Sequence, residues 1–92
     1  MKVKIVKSLI VDDKNFNVGD DIAFTVWNTE TNYNDRYIVK IVSINESICD
    51  NYGNNMEGFI QATNIEKNRD RIIGTRRFFF KDMMNCNYVY DT

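Results

Sequence analysis

The sequence predicts an all-β fold: a small five- to six-stranded barrel with a short C-terminal helical turn. Three observations carry that expectation. Apolar residues recur with period two through most of the chain, and the β-branched and aromatic types favoured on a pleated surface dominate those runs. Clusters of asparagine, aspartate and glycine punctuate the runs at short intervals, as turns between strands do. Residues 36 to 49, RYIVKIVSINESIC, carry Tyr37, Val39 and Ile41 on one parity and Ile38, Val42, Ile44 and Ile48 on the other. Both faces of this stretch are therefore expected to be partly buried, as in a long central strand that bends to serve two sides of a barrel.

The elements follow in order. Residues 2 to 11 read as a strand with Val3, Ile5, Leu9 and Val11 on one face and Lys2, Lys4 and Ser8 on the other; Lys7 breaks the row and marks a bulge or edge. Asp12 to Asn17 reads as polar turn material, and Val18, Gly19 and Asp20 as a tight entry into a strand with Ile22, Phe24 and Val26 inward and Ala23, Thr25 and Trp27 opposite. Asn28 to Asp35 reads as an exposed loop before the central strand. The chain is expected to reverse near Tyr52 to Asn55 and return through Met56 to Ile65, with a second turn at Lys67 to Asp70. Residues 71 to 81 form the next strand, Ile72, Phe78 and Phe80 sharing one parity and Arg77, Phe79 and Lys81 the other, with room for a bulge at Gly74. Asp82 to Cys86 reads as a helical turn and Tyr88 to Tyr90 as a short closing strand.

A chain of 92 residues, 43% of them hydrophobic, suffices for one core, so residues 1 to 92 are expected to form a single domain. Proline is absent, while asparagine, isoleucine, lysine and aromatic residues are abundant, a bias of the kind AT-rich genomes produce, as in low-GC bacteria and their phages. The formal charge is −1, so no global field draws the protein to nucleic acid or membrane. Locally the charge is uneven: between residues 66 and 81, Lys67, Arg69, Arg71, Arg76, Arg77 and Lys81 stand against Glu66 and Asp70, a net of +4. No apolar run approaches the roughly 20 residues of a membrane helix, and the N-terminus lacks a signal-peptide core, so a cytoplasmic location with no membrane partner is expected. Cys49 and Cys86 are too few for a disulfide framework or a zinc site and are expected as thiols in a reducing compartment.

The spacing of Gly19, Ile22, Phe24 and Val26, followed by Tyr37, Val39, Ile41, Ile44, Asn45, Ile48 and Cys49, resembles the first motif of the Sm-like family. The segment from Ile73 to Met84 is similar in outline to the closing Sm strand and to the last strand of the WYL regulator domain. The resemblance implies an SH3-like (Sm-like) barrel. The family's RNA-contacting aspartate and asparagine fall on Asn45 and Cys49, so what it implies is the barrel rather than the family's RNA site.

Catalysis is poorly provided for. Without histidine, the commonest general base and metal ligand are both missing, and no cofactor or metal is expected. Cys49 beside Asp50, and Cys86 in a polar tail, lack the positive surroundings that form thiolate. The pairs Asp12, Asp13 and Asp20, Asp21 flank turns, where aspartate serves the backbone more often than a cation. Gly53 and Gly58 bracket NNME without the lysine and helix of a phosphate loop.

Two surfaces remain. Arg77, Phe79 and Lys81 share a strand face, with Arg71 and Arg76 nearby, the mixture of cations and aromatic that single-stranded nucleic acid requires. Trp27, Tyr33 and Tyr37 surround the longest loop and offer a protein interface, where such residues are favoured. The sequence thus reads as a non-enzymatic binding module working by protein interaction or self-association, with single-stranded nucleic-acid binding through residues 71 to 81 as the alternative.

Overall fold

The computed structural model describes residues 8–11, 14–45, 48–49, 55–56 and 58–89, and they are mostly antiparallel strand. In chain order the elements are β1 (Ser8–Val11), β2 (Lys14–Asn17), β3 (Asp21–Asn28), β4 (Tyr33–Asn45), β5 (Ile48–Cys49), β6 (Asn55–Met56), β7 (Phe59–Lys67), β8 (Asp70–Ile72), β9 (Arg76–Phe79), a 3-10 turn (Phe80–Asp82) and β10 (Met84–Tyr88). The principal sheet runs β10-β3-β4-β7-β8, and β9 also pairs with β7; β1–β2 and β5–β6 are separate two-stranded ladders. No pairing among the described residues joins β8 or β9 to β10.

β4 is the longest strand and pairs with both β3 and β7. Its register sets Tyr37 opposite Phe24 and Val39 opposite Ile22, and all four are buried. The buried row on β4 then changes parity, from Tyr37, Val39 and Ile41 to Ile44. A bulge explains the change: Ile41 stands opposite Ala62 and Ser43 opposite Gln61, so Val42 is an extra residue, and its side chain is exposed. The expected two-sided burial of this stretch is thus largely one core face as far as Asn45, re-phased at Val42; on the other face before the bulge Ile38 is the apolar residue that is half-buried, and the burial of Ile48 lies outside what is described.

β7 is re-phased in the same way. Between its pairings with Ile38 and Lys40 it carries one residue more than β4, and Asn64 there has φ 51°. The core row accordingly passes from Ile60 and Ala62 to Ile65. β8 and β9 are two halves of the strand expected at residues 71 to 81. Ile72 pairs with Ile65 and Arg76 with Ala62, leaving one extra residue around Gly74, whose φ of 105° suits glycine. The expected bulge is there.

Three expectations require correction. Residues 14 to 17 are not turn material but β2, paired with β1, and Phe16 is fully buried with its ring 4.8 Å from that of Tyr88. Polar neighbours hid a single inward aromatic. The loop expected at 28 to 35 shrinks to Thr29 to Asn32, because β3 and β4 stay paired as far as Asn28 and Tyr33. At the C-terminus the helical turn comes earlier, at Phe80–Asp82, and Cys86 lies in β10, buried in the core, rather than in a polar tail. Residues 2 to 7, Asp12, Asp13 and the reversal at Tyr52 lie outside the described residues.

The 3-10 turn is held against the start of β7. The Phe80 amide donates to the Gly58 carbonyl at 3.1 Å, and the Phe80 ring covers Gly58 so closely that a Cβ there would stand 2.6 Å from Cε2. This packing fixes the end of β9 beside Phe59.

Candidate nucleic-acid interface

Directly opposed residues of antiparallel strands project to the same face. β7 and β9 oppose Phe59 to Phe79 and Gln61 to Arg77, while Ile60 and Phe78, between them, point into the core. On the outer face the Phe59 and Phe79 rings meet edge to face at 5.8 Å, and the Arg77 guanidinium lies 4.8 Å from the centre of the Phe59 ring. Such a cation–π contact at an exposed site contributes about 0.5–1 kcal/mol, enough to orient the side chain without sequestering its charge. β4 completes the row. Asn45 opposes Phe59 and Ser43 opposes Gln61; the Ser43 hydroxyl donates to Gln61 Oε1 at 3.0 Å, and Asn45 Nδ2 donates to Ser43 Oγ at 3.1 Å. Two aromatic rings, one guanidinium and a polar amide border thus share one surface.

Of the residues singled out in the sequence, Arg77 and Phe79 are brought together here. Arg76 projects from the alternate side of β9 but joins them at a crevice of about 220 Å³, which is also lined by Val26, Tyr37 and Asp82. Arg71 lies further along, in β8, opposite Glu66. Lys81 is exposed in the 3-10 turn, off the strand. Phe59 was missed. It stands at the head of β7, in a stretch that reads in the sequence only as the return from Met56 to Ile65, without a division of its residues between two faces; its alternation with Ile60 and Ala62 is the signal that marks it outward.

The aromatic trio around the first hairpin does not gather. Tyr37 is a core residue, its ring 5.7 Å from Phe24 and 4.9 Å from Phe78. Trp27 and Tyr33 are 51% and 75% exposed, but Trp27 opposes Asn34 while Tyr33 opposes Asn28, which sets them on opposite faces of the hairpin.

At the other end of β7, the outer face carries a groove of about 540 Å³ lined by Arg36, Ile38, Glu66, Asn68 and Arg69. Asn68 and Arg69 form the two-residue β7–β8 turn, with φ of 49° and 73°. The turn is tied to the sheet by Asn68, whose amide donates to the Arg36 carbonyl at 2.8 Å and whose Oδ1 accepts from the Arg36 amide at 2.9 Å. Asn68 Nδ2 also donates to Asp35 Oδ1 at 2.9 Å, and Asn28 Nδ2 donates to Asp35 Oδ2 at 3.0 Å. These bonds, with Lys67 Nζ 3.6 Å away, hold the Asp35 carboxyl below its usual range, against the opposing effect of its burial. Among the described residues the ion pairs are Lys67–Asp35 and Lys40–Asp21, and none of Arg36, Arg69, Arg71, Arg76 and Arg77 joins one.

The other candidate chemistries resolve locally. Asp20 Oδ2 accepts from the Asn17 amide at 2.7 Å and so serves the turn, and Asp21 faces Lys40 at 3.4 Å. No described helix is long and apolar enough to cross a membrane. Compared with protein-family models, with curated proteins and with solved structures, the chain matches none.

Proposed function

We propose that the protein is a non-enzymatic binding module that holds single-stranded nucleic acid on the outer face of β4, β7 and β9, with the strands wrapped as a small SH3-like barrel of the Sm-like kind. The observation that carries this reading is the Phe59–Phe79 pair with the Arg77 guanidinium over it. A base has a π-face whatever its identity, so exposed rings offer stacking, and adjacent guanidiniums offer phosphate contacts. The bulges at Val42, Asn64 and Gly74 support the barrel, since bulges are how strands turn the corners of small barrels.

The test is fluorescence anisotropy of labelled oligouridylate and oligodeoxythymidylate with the wild type and the Phe59→Ala/Phe79→Ala variant. Stacking contributes about 1–3 kcal/mol per base, so the double variant is expected to bind at least tenfold more weakly while keeping its thermal transition. Equal affinity of the two proteins would remove this face from the site.

A protein-interaction reading is favoured by one observation. Trp27 and Met84, both substantially exposed, share the outer face of the β3–β10 pair, where Met84 opposes Thr25. In that case light scattering would give a mass above the 10.9 kDa of the chain, and Trp27→Ser would restore the monomer.

A further inference from the structure

The outer face of β7 does not end at its aromatic pair. From Phe59 the outward positions continue through Gln61 and Thr63 to Glu66, and there the face opens into the groove between Arg36 and Arg69. At roughly 3.3 Å per residue, this nine-residue strand places the two ends about 25–30 Å apart. The guanidiniums of Arg36 and Arg69 form no ion pair among the described residues, and the turn that carries Arg69 is fixed by the two bonds from the amide and the side-chain Oδ1 of Asn68 to the Arg36 backbone. An unpaired cation held on a tied turn is suited to a phosphate, because little ordering is needed when the ligand arrives.

We infer that the ligand runs the length of β7: bases stack at the Phe59–Phe79 end, and the sugar–phosphate chain is gripped in the groove by Arg36 and Arg69. This rests on the proposed nucleic-acid reading and deepens it by setting the size and polarity of the site. The strip accommodates about four nucleotides, the lower end of the range for small-barrel sites. Glu66 is the single acid of the groove and opposes a phosphate there. Its removal should therefore tighten binding.

The experiment is an amide NMR titration of the whole chain with uridylate and deoxythymidylate oligomers of two and of four nucleotides. The dinucleotide is expected to shift Phe59, Arg77 and Phe79 alone, and the tetranucleotide to shift Arg36, Glu66 and Arg69 as well. An Arg36→Gln/Arg69→Asn variant, in which asparagine tolerates the positive φ, should bind the dinucleotide as the wild type does and lose the gain on lengthening, severalfold in affinity. Glu66→Gln should raise tetranucleotide affinity about two- to threefold, as removal of one nearby like charge does. If the tetranucleotide shifts only the aromatic end, the extension is overturned and the aromatic site stands. If neither oligomer shifts Phe59 or Phe79, the aromatic site falls too, whatever happens in the groove. The RNA and DNA arms separate a site that uses the 2′-hydroxyl from one that does not.

Discussion

Asp35 is nearly buried where two turns meet, and it shows how single side chains hold this sheet in shape. Its carboxylate accepts from Asn28 at the end of β3 and from Asn68 in the β7–β8 turn, with Lys67 alongside. Asn68 first, then Asn28, favour its charged form and lower its pKa from the ordinary 3.8. A carboxyl whose pKa is lower folded than unfolded contributes stability that is complete above the unfolded value and disappears as pH falls through the folded one. Thermal melts of the wild type should therefore be insensitive to this group near neutrality and decline below about pH 3.8. Asp35→Asn, which presents an amide to two amide donors and an ammonium, should melt lower at pH 7 and decline less steeply in acid. Parallel acid curves for the two proteins would show that the carboxylate is not the tie. None of this was legible in the sequence, where Asp35 read as the end of a polar loop; its partners come from chain positions 7 and 33 residues away.

Strands here are defined as much by their interruptions as by their periodicity. The alternation of Ile22 and Phe24, and of Tyr37, Val39 and Ile41, was enough to find β3 and β4, and Gly74 marked the break between β8 and β9 before its φ was known. The irregularities of β7 and β10 were not read, because asparagine passed as composition, and the bulge at Val42 carries no marker residue. Asn32, Asn64, Asn68 and Asn85 all have positive φ, at two turns and at the irregularities of β7 and β10. Asparagine enters the left-handed region more readily than other side chains with a Cβ, so in this chain an asparagine within an apolar run signals a turn or bulge. Asn64 tests the point. Asn64→Gly should fold as the wild type does, whereas Asn64→Val, β-branched at φ 51°, should cost about 1–2 kcal/mol in chemical denaturation. Equal stability of the valine variant would mean that the bulge does not depend on this backbone state. β2 escaped for a simpler reason: one buried aromatic, Phe16, among polar residues leaves no period to detect.

For the whole molecule, the charge is the informative quantity. A chain with a formal charge of −1 keeps five arginines out of ion pairs among its described residues, and Arg36, Arg69, Arg71 and Arg77 lie on or beside the outer face of β7. Half of this site was legible: Arg77 and Phe79 came from strand parity alone. Phe59 and Arg36 belong to other strands, and only the pairing of β7 with β4 and β9 brings them in. The pairing of β3 with β4 dissolved the aromatic trio, because Tyr37 turns inward on the parity that Trp27 does not share.

The central claim is that this face holds a phosphate chain, and the most direct test is the salt dependence of single-strand binding by the whole chain, followed by anisotropy. If three or four of these arginines neutralise phosphates, log affinity should fall linearly with log salt with a slope of about −2 to −3. The Phe59→Ala/Phe79→Ala variant should be weaker at every salt concentration yet keep that slope, because stacking releases no counterions. Absence of binding at low salt, or an affinity indifferent to salt, would contradict the claim and turn the search towards a protein partner at Trp27.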